Sequence, residues 1–155
     1  MFRAAARTLL VALVATAGLA VGPTVTPAHA TYTSTNYESD VVKYANVERA
    51  TRGLAKVSSS YCVDRYAEAQ AARMAQVKRM YHQDMLTIAR ACRLRMVGEN
   101  VAYGYTSGKS VTAAWMASPG HRANLLQRDY RLIGVGAVKA SNGRWYVSQV
   151  FGRSA

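Results

Sequence analysis

The sequence predicts an α+β domain in which helices come first and a pair of antiparallel strands comes last. Helix-type spacing of apolar residues dominates the chain to about residue 95, and a glycine-punctuated strand follows. Two β-rich runs joined by Ser141-Asn142-Gly143 close the chain, and Asn-Gly between such runs is a strong hairpin signal. Because strands and helices do not alternate regularly, we expect no βαβ repeat.

The composition is that of a small globular protein. The chain has 155 residues, of which 50% are hydrophobic and 18% charged, a balance that excludes a disordered tail. The length allows one domain with or without a leader. The two cysteines exclude a disulfide-dense toxin.

The first 30 residues have the organisation of a secretory signal peptide. Arg3 and Arg7 precede a nearly uniform apolar run over residues 9–21, and Ala28-His29-Ala30 is a small-x-small cleavage site. The alternative is a membrane anchor, but 13 apolar residues of helix span only about 20 Å of a ~30 Å hydrocarbon core. We therefore predict cleavage after Ala30, secretion, and no membrane-spanning segment in the mature chain.

Three helical segments are expected next. Residues 31–39 lack periodicity and predict a flexible mature N-terminus, while residues 40–155 form one domain. Asp40 is placed to act as N-cap for a helix that Gly53 ends, and a serine-rich connector follows. A second helix is predicted from about Asp64 to Tyr81, with a row of alanines that would let another element pack closely, and residues 85–95 form a shorter one.

The character of the chain changes after Met96. Glycines punctuate a strand and loop, and Ser110 is placed to cap a helix over 111–117 that ends near Pro119-Gly120. The two hairpin strands are predicted over 132–138 and 145–151.

Cys62 and Cys92 are predicted to form a disulfide. Two cysteines in an exported protein favour a bridge over a reactive or metal-binding pair. A separation of 30 residues corresponds to about 3–4 kcal/mol in the chain-entropy model.

The residues that could carry chemistry are few. Cleavage would leave only His82 and His121 as histidines, and Glu99 lies between them in a glycine-bounded segment. Such a set could bind a divalent ion with an open water position, or act as general acid and base. Its spacing forms no local metal motif, so two unrelated surface histidines remain an alternative. Ser118 has no base at a recognisable triad spacing, and we do not predict a serine nucleophile.

Several segments together resemble the CAP superfamily of cysteine-rich secretory proteins, antigen-five allergens and pathogenesis-related proteins, most closely its short bacterial SCP-like branch. They share one order along essentially the whole mature chain, although each alone would be weak. The segments are Asn46-Val47-Glu48-Arg49, Gly53-Leu54, His82, Gly98-Glu99-Asn100-Val101-Ala102, Gly104, Ala114 to Leu126, Ile133-Gly134-Val135-Gly136 and Gln149-Val150-Phe151-Gly152.

This resemblance implies a three-layer α-β-α sandwich whose central cleft gathers two histidines and two acidic residues. His82, Glu99 and His121 match three of those four positions, whereas the fourth, three residues after Trp115, is Ser118. Asp84 is a possible substitute, since it would share a side with His82 in an extended segment but not on a helix. With one sure carboxylate, we expect modest affinity for Zn²⁺ and a poor fit to Ca²⁺.

Two amides are candidates for orienting the histidines. Asn100 and Gln149 could donate to or accept from the rings, or could merely satisfy a turn and a half-exposed strand.

The charge of +12, which falls to +10 when Arg3 and Arg7 leave with the leader, suggests an anionic partner. Cell-envelope polymers or lipid headgroups fit an exported protein, whereas nucleic acid does not. A simply solvated basic face is the alternative. The sequence carries no oligomer signal, and we expect a monomer.

Two functions follow from these expectations. The first is a secreted, non-enzymatic binding module whose His/His/Glu cleft takes a lipid or envelope-derived ligand. The second is an extracellular hydrolase or protease, with or without assistance from a metal ion, in which the histidines polarise water and Glu99 acts as base. We favour binding because the fourth acid and a nucleophile are missing.

Overall fold

A computed structural model describes residues 32–155. The predicted signal peptide lies outside the described residues and stays a prediction. Within the described range, no helix is long and apolar enough to cross a membrane.

The described residues form a three-layer α-β-α sandwich, as the resemblance implied. A mixed four-stranded sheet in the order β1-β3-β4-β2 lies between α1, α4 and α5 on one face and α2 and α3 on the other. Only β1 and β3 pair in parallel in this sheet of the described chain. The elements are α1 (Ser34–Ala50), β1 (Ser58–Ser59), α2 (Tyr61–Val77), α3 (Met85–Ala91), β2 (Leu94–Tyr103), α4 (Gly108–Ala117), α5 (Pro119–Leu125), β3 (Leu132–Lys139) and β4 (Trp145–Ser154).

The predicted C-terminal hairpin is confirmed as β3 and β4. Their turn places Gly143 at φ +77°, a conformation that glycine adopts without steric cost. Alternate residues of β4 face opposite layers: Val147 and Phe151 pack on the side of α1 and α4, and Val150 packs on the side of α2 and α3.

Helix α2 lies directly on β3 because both surfaces are small. Ala67 is fully buried, as the predicted alanine row requires. A Cβ added at Gly136 would fall 2.4 Å from the Ala67 carbonyl oxygen, and one at Gly134 would fall 2.4 Å from the Asp64 nitrogen. The absent side chains on β3 therefore set how closely this layer approaches the sheet.

The expectation of a flexible segment over residues 31–39 is wrong from Ser34 onward, where α1 begins. Thr33 is the N-cap, and its side chain and that of Asn36 form a reciprocal capping box. Tyr37 is fully buried, with its ring 5.0 Å from that of Trp145. The polar residues around Tyr37 hid this anchor from the sequence analysis.

Other helix limits also differ from the predictions. Helix α2 ends at Val77 rather than Tyr81, because Lys78 adopts a left-handed conformation (φ 53°). Helix α3 ends at Ala91, since β2 starts at Leu94. Ser107 rather than Ser110 caps α4, and Pro119 starts α5, a position where proline is favoured.

The predicted disulfide between Cys62 and Cys92 is confirmed, with the two Cα atoms 5.8 Å apart. It ties the first turn of α2 to the residue that follows α3.

Two carboxylates cover the part of β3 that the two-residue strand β1 leaves unpaired. The Val135 N–H donates to Asp64 (2.9 Å), and the Ala137 N–H donates to Glu38 (2.9 Å). Burial raises the pKa of Glu38 to about 7. Charged side chains at such an edge disfavour pairing with another chain.

A buried arginine joins α1 to the segment that follows α5. Arg49 is completely inaccessible, and its guanidinium donates to the carbonyl oxygens of Ala55, Leu125 and Gln127 (each 2.9 Å) and Tyr130 (3.2 Å). Burial lowers the pKa of Arg49. The cation is held by backbone carbonyls, including the last one of α5, where the helix dipole favours positive charge.

We predict that Gly136→Ala lowers the free energy of unfolding by about 3 kcal/mol, because its Cβ would overlap the α2 backbone. Gly120→Ala is the control, since a Cβ there meets nothing within 4 Å and alanine suits a helix. It should stabilise by about 0.5–1 kcal/mol. Urea denaturation measures both, and equal effects would contradict the close packing of α2 on β3.

We predict that Arg49→Met lowers the free energy of unfolding by about 3 kcal/mol, because it leaves buried carbonyl oxygens without a hydrogen-bond donor. Arg52→Met is the matched control on the same stretch of chain. Arg52 is solvent-exposed and pairs with Glu48, so its loss should change stability by no more than about 0.5 kcal/mol. A small effect at Arg49 would show that the four contacts are dispensable.

Candidate functional site

The structure brings His82 and Glu99 into contact. His82 follows α2 in the chain and is largely exposed, whereas the Glu99 side chain on β2 is buried. The imidazole Nδ1 lies 2.8 Å from Glu99 Oε2, and this contact leaves Nε2 facing away from the carboxylate. A carboxylate in this position fixes the tautomer and the orientation of the ring.

The Glu99 carboxylate is fully engaged by neighbours. Oε2 also accepts from the Gln83 backbone N–H (3.3 Å), and Oε1 accepts from Gln83 Nε2 and from Ser148 Oγ (both 2.8 Å). Four contacts on two oxygens satisfy a buried carboxylate that has no arginine or lysine beside it in the described chain.

The loop that carries His82 is anchored to α2. Gln70 is buried on that helix and donates to the Tyr81 carbonyl oxygen (2.6 Å). The Gln70 amide oxygen in turn accepts from Arg73 Nη2 (2.8 Å). The position of His82 is therefore set by α2 as well as by Glu99.

His121 lies in the opposite layer of the sandwich from His82. It lies on α5, with Nδ1 2.9 Å from Ser118 Oγ, and its carbonyl oxygen accepts from Asn100 Nδ2 (3.2 Å). Burial lowers the pKa of His121, and the nearby charge of His82 lowers it further.

The two predicted orienting amides lie behind the cleft. Asn100 donates to the backbone of His121 and to Gln149 Oε1 (3.0 Å), so it positions the α5 backbone rather than an imidazole ring. Asn124 completes the network by donating to Asn100 Oδ1 and to the Glu99 carbonyl oxygen (both 3.0 Å). Within residues 32–155, the buried Nε2 of Gln149 has no hydrogen-bond partner.

Asp84 does not join the site. Its carboxylate caps α3, accepting from the Leu86 N–H (2.9 Å) and from Thr87 Oγ1 (2.6 Å). These bonds lower the pKa of Asp84. The prediction that Asp84 replaces the missing acidic residue is therefore wrong, because the Asp84 side chain is the N-cap of the helix that starts at Met85.

Of the predicted ligand set, His82 and Glu99 are in contact, and the metal site itself stays a prediction. Among the described residues, no group of three histidine, cysteine, aspartate or glutamate side chains is placed to hold a metal ion. Glu99 instead orients His82, a role that supports ligands in many metal sites. The geometry leaves two imidazoles, each using Nδ1 within the protein, and a Glu99 carboxylate that its neighbours already occupy.

Ser118, which we did not predict to be a nucleophile, contacts His121. It stands three residues before His121, at the start of α5, where the helix geometry rather than any triad spacing brings its hydroxyl to the imidazole. A hydroxyl beside an imidazole can act as nucleophile and base. In the described chain, however, no side chain or carbonyl forms a hydrogen bond with the other ring nitrogen of His121.

An apolar pocket of about 250 Å³ adjoins His121. No pattern in the sequence indicates this pocket, because its walls come from α4, β2 and the loop before His82. Three large apolar side chains stand exposed there: Met80 (43%), Tyr103 (46%) and Tyr105 (39%). The complete lining is Met80, Val101, Ala102, Tyr103, Tyr105, Ala114, Trp115, Ser118 and His121.

Comparisons with known proteins agree with this architecture. The family model described as the cysteine-rich secretory protein family, CAP, matches residues 42–151. The chain is 31% identical over 125 residues to the uncharacterized protein YkwD of Bacillus subtilis, covering 76% of this chain and 48% of that one. It thus spans about half the length of that relative.

Two solved structures share the fold at lower identity. An outer surface protein of Borrelia burgdorferi superposes with a TM-score of 0.70 at 17% identity, covering 79% of this chain and 98% of that one. An extracellular protein of Bacillus anthracis that contains an SCP domain gives a TM-score of 0.69 at 21% identity, covering 86% of this chain and 45% of that one.

We predict that His121 titrates below the ordinary value of 6.5 and that His82→Ala raises its pKa without restoring that value, because burial is the larger cause. Because folding lowers this pKa, protonation of His121 favours the unfolded state. The free energy of unfolding is therefore unaffected by His121 above pH 6.5 and decreases as the pH falls through the folded pKa. Imidazole NMR resonances followed against pH measure the effect. Titration at or above 6.5, or no response to His82→Ala, would contradict the shared cleft.

Proposed function

The chain belongs to the CAP family of cysteine-rich secretory proteins, and on that premise we propose that it is an extracellular, non-enzymatic binding module. Its ligand is a lipid or an envelope-derived molecule with an apolar part, held in the cleft beside His121. The secretory leader predicted over residues 1–30 and the net charge of +10 that remains without Arg3 and Arg7 support an extracellular role at an anionic envelope.

The observation that carries the proposal is the concentration of exposed apolar side chains at one pocket. Met80, Tyr103 and Tyr105 are each more than a third exposed, and all three line the pocket that contains His121. An apolar concavity with a few polar groups at its edge is the usual form of a small-molecule site. Ser118 and His121 provide those polar groups.

The chemistry of the cleft supports binding better than hydrolysis. Glu99 would have to leave some of its four contacts to act as a general base. The Ser118–His121 contact favours hydrolysis as the second candidate. That candidate requires ester or peptide turnover that disappears in Ser118→Ala or Glu99→Gln, whereas the binding module requires none.

Filling the pocket tests the binding function. We predict that Ala114→Phe weakens binding of the neutral apolar probe N-phenyl-1-naphthylamine by about tenfold or more, because the new ring occupies the ligand's volume. Fluorescence titration of the secreted form measures the dissociation constant.

Ala113→Phe is the matched control, since Ala113 is exposed on the same helix and does not line the pocket. It should leave probe binding unchanged. No saturable binding to the unmodified protein, or equal losses in both variants, would overturn the proposed function.

A further inference from the structure

A second, basic pocket adjoins the apolar one. It has a volume of about 380 Å³, and it shares Met80 and Tyr103 with the apolar pocket as a common wall. The lining residues are Lys78, Arg79, Met80, Tyr103, Asn142, Arg144 and Tyr146. The residues that form it come mainly from the end of α2 and from the turn of the β3–β4 hairpin.

Three cations line this second pocket without a carboxylate. Lys78, Arg79 and Arg144 are all exposed, and no acidic residue of the described chain contributes to the lining. Over residues 32–155, the only ion pairs join Arg52 to Glu48 and His82 to Glu99, so none involves the three cations. Like charges brought together repel each other, and a bound anion relieves that repulsion.

Local structure restricts where these cations lie. Lys78 occupies the left-handed position that ends α2, and its N–H donates to the Met74 carbonyl oxygen. The Arg144 guanidinium lies 5.9 Å from the centre of the Tyr103 ring. Tyr103 itself stacks on the buried Tyr146, with 5.7 Å between ring centres. Arg144 thus stands over the wall that divides the two pockets.

From this juxtaposition we infer that the two pockets form one site for a single-chain anionic lipid. The acyl chain lies in the apolar pocket against Tyr105 and Trp115, and the phosphate or carboxylate head lies among Lys78, Arg79 and Arg144. This inference rests on the proposed function and adds the chemical class of the ligand. The shared wall is what selects an amphiphile, since one molecule can place its apolar chain and its charged head in adjoining pockets at the same time.

The charge complementarity has a direct experimental signature. Two lipids with the same myristoyl chain, lysophosphatidylglycerol and lysophosphatidylcholine, differ in that only the first carries a net negative charge. Titrations at low salt and below micelle-forming concentrations should show about tenfold tighter binding of the anionic lipid. Added salt should reduce this preference, because the cations are solvent-exposed.

Removing two of the three cations should remove most of the preference and retain the binding. The double variant Lys78→Asn, Arg144→Gln should bind both lipids within about twofold of each other, since the apolar pocket is unaltered. Asparagine tolerates the left-handed conformation of residue 78. The matched control is Arg65→Gln, Lys109→Gln: Arg65 lies 5.8 Å from the Tyr61 ring and Lys109 5.9 Å from the Tyr44 ring, and neither lines either pocket. It should keep the full preference.

The outcomes separate this inference from the proposed function. Equal affinity for the two lipids in the unmodified protein, or a preference that survives the double variant, would overturn the inference and leave an apolar site intact. Inorganic phosphate that binds as tightly as the anionic lipid would also overturn it, by showing an anion site that needs no chain. Loss of binding of both lipids in Ala114→Phe, together with a preference that the double variant loses and its matched control keeps, would support both. Absence of any lipid or naphthylamine binding would overturn both.

Discussion

The buried guanidinium of Arg49 is the interaction on which the site geometry depends. It lies where α1 ends, and it gathers carbonyl oxygens from the connector before β1 and from the segment that follows α5. A desolvated cation is costly unless it is hydrogen-bonded, and the four bonds that Arg49 makes favour one relative position of these segments. Helix α5 carries His121, and its C-terminal end is among the groups that Arg49 holds. This small network therefore places one wall of the cleft.

The second constraint is that the cleft is built around an outer strand of the sheet. β2 pairs only with β4 in the described chain. Because successive side chains of a strand point to opposite faces, Glu99 lies toward α2 and α3, and Asn100 toward α5. His82 contacts Glu99 on one side of β2, and Asn100 binds the His121 backbone on the other. Asn124 and Trp115 donate to the carbonyl oxygens of Glu99 and Val101 (3.0 and 3.4 Å), which covers edge groups that a neighbouring strand would otherwise satisfy.

The two halves of the cleft differ in how completely their polar groups are satisfied. Around Glu99 every carboxylate oxygen has a partner, and such a network rigidifies its surroundings. Beyond Val101 the character changes to exposed aromatic rings and then to cations without ion-pair partners in the described chain. The Glu99 carboxylate, with both oxygens hydrogen-bonded, lies beside exposed aromatic rings and beside cations that form no ion pair in the described chain. Such a surface is suited to holding a ligand. This contrast is the physical basis for proposing a binding module rather than a general-base catalyst.

The sequence by itself determined the α+β class, the hairpin and the disulfide, and it identified His82, Glu99 and His121 as candidate site residues. These predictions depend on local periodicity, on turn chemistry or on matching motifs. Tertiary structure alone decided how they combine. It placed Asp84 at a helix N-cap, turned Glu99 into the partner of His82, and brought Ser118 to His121. The paired apolar and basic pockets also have no signature in the chain, because their walls come from segments that lie far apart along it. Side-chain proximity across layers depends on packing, which no local pattern encodes.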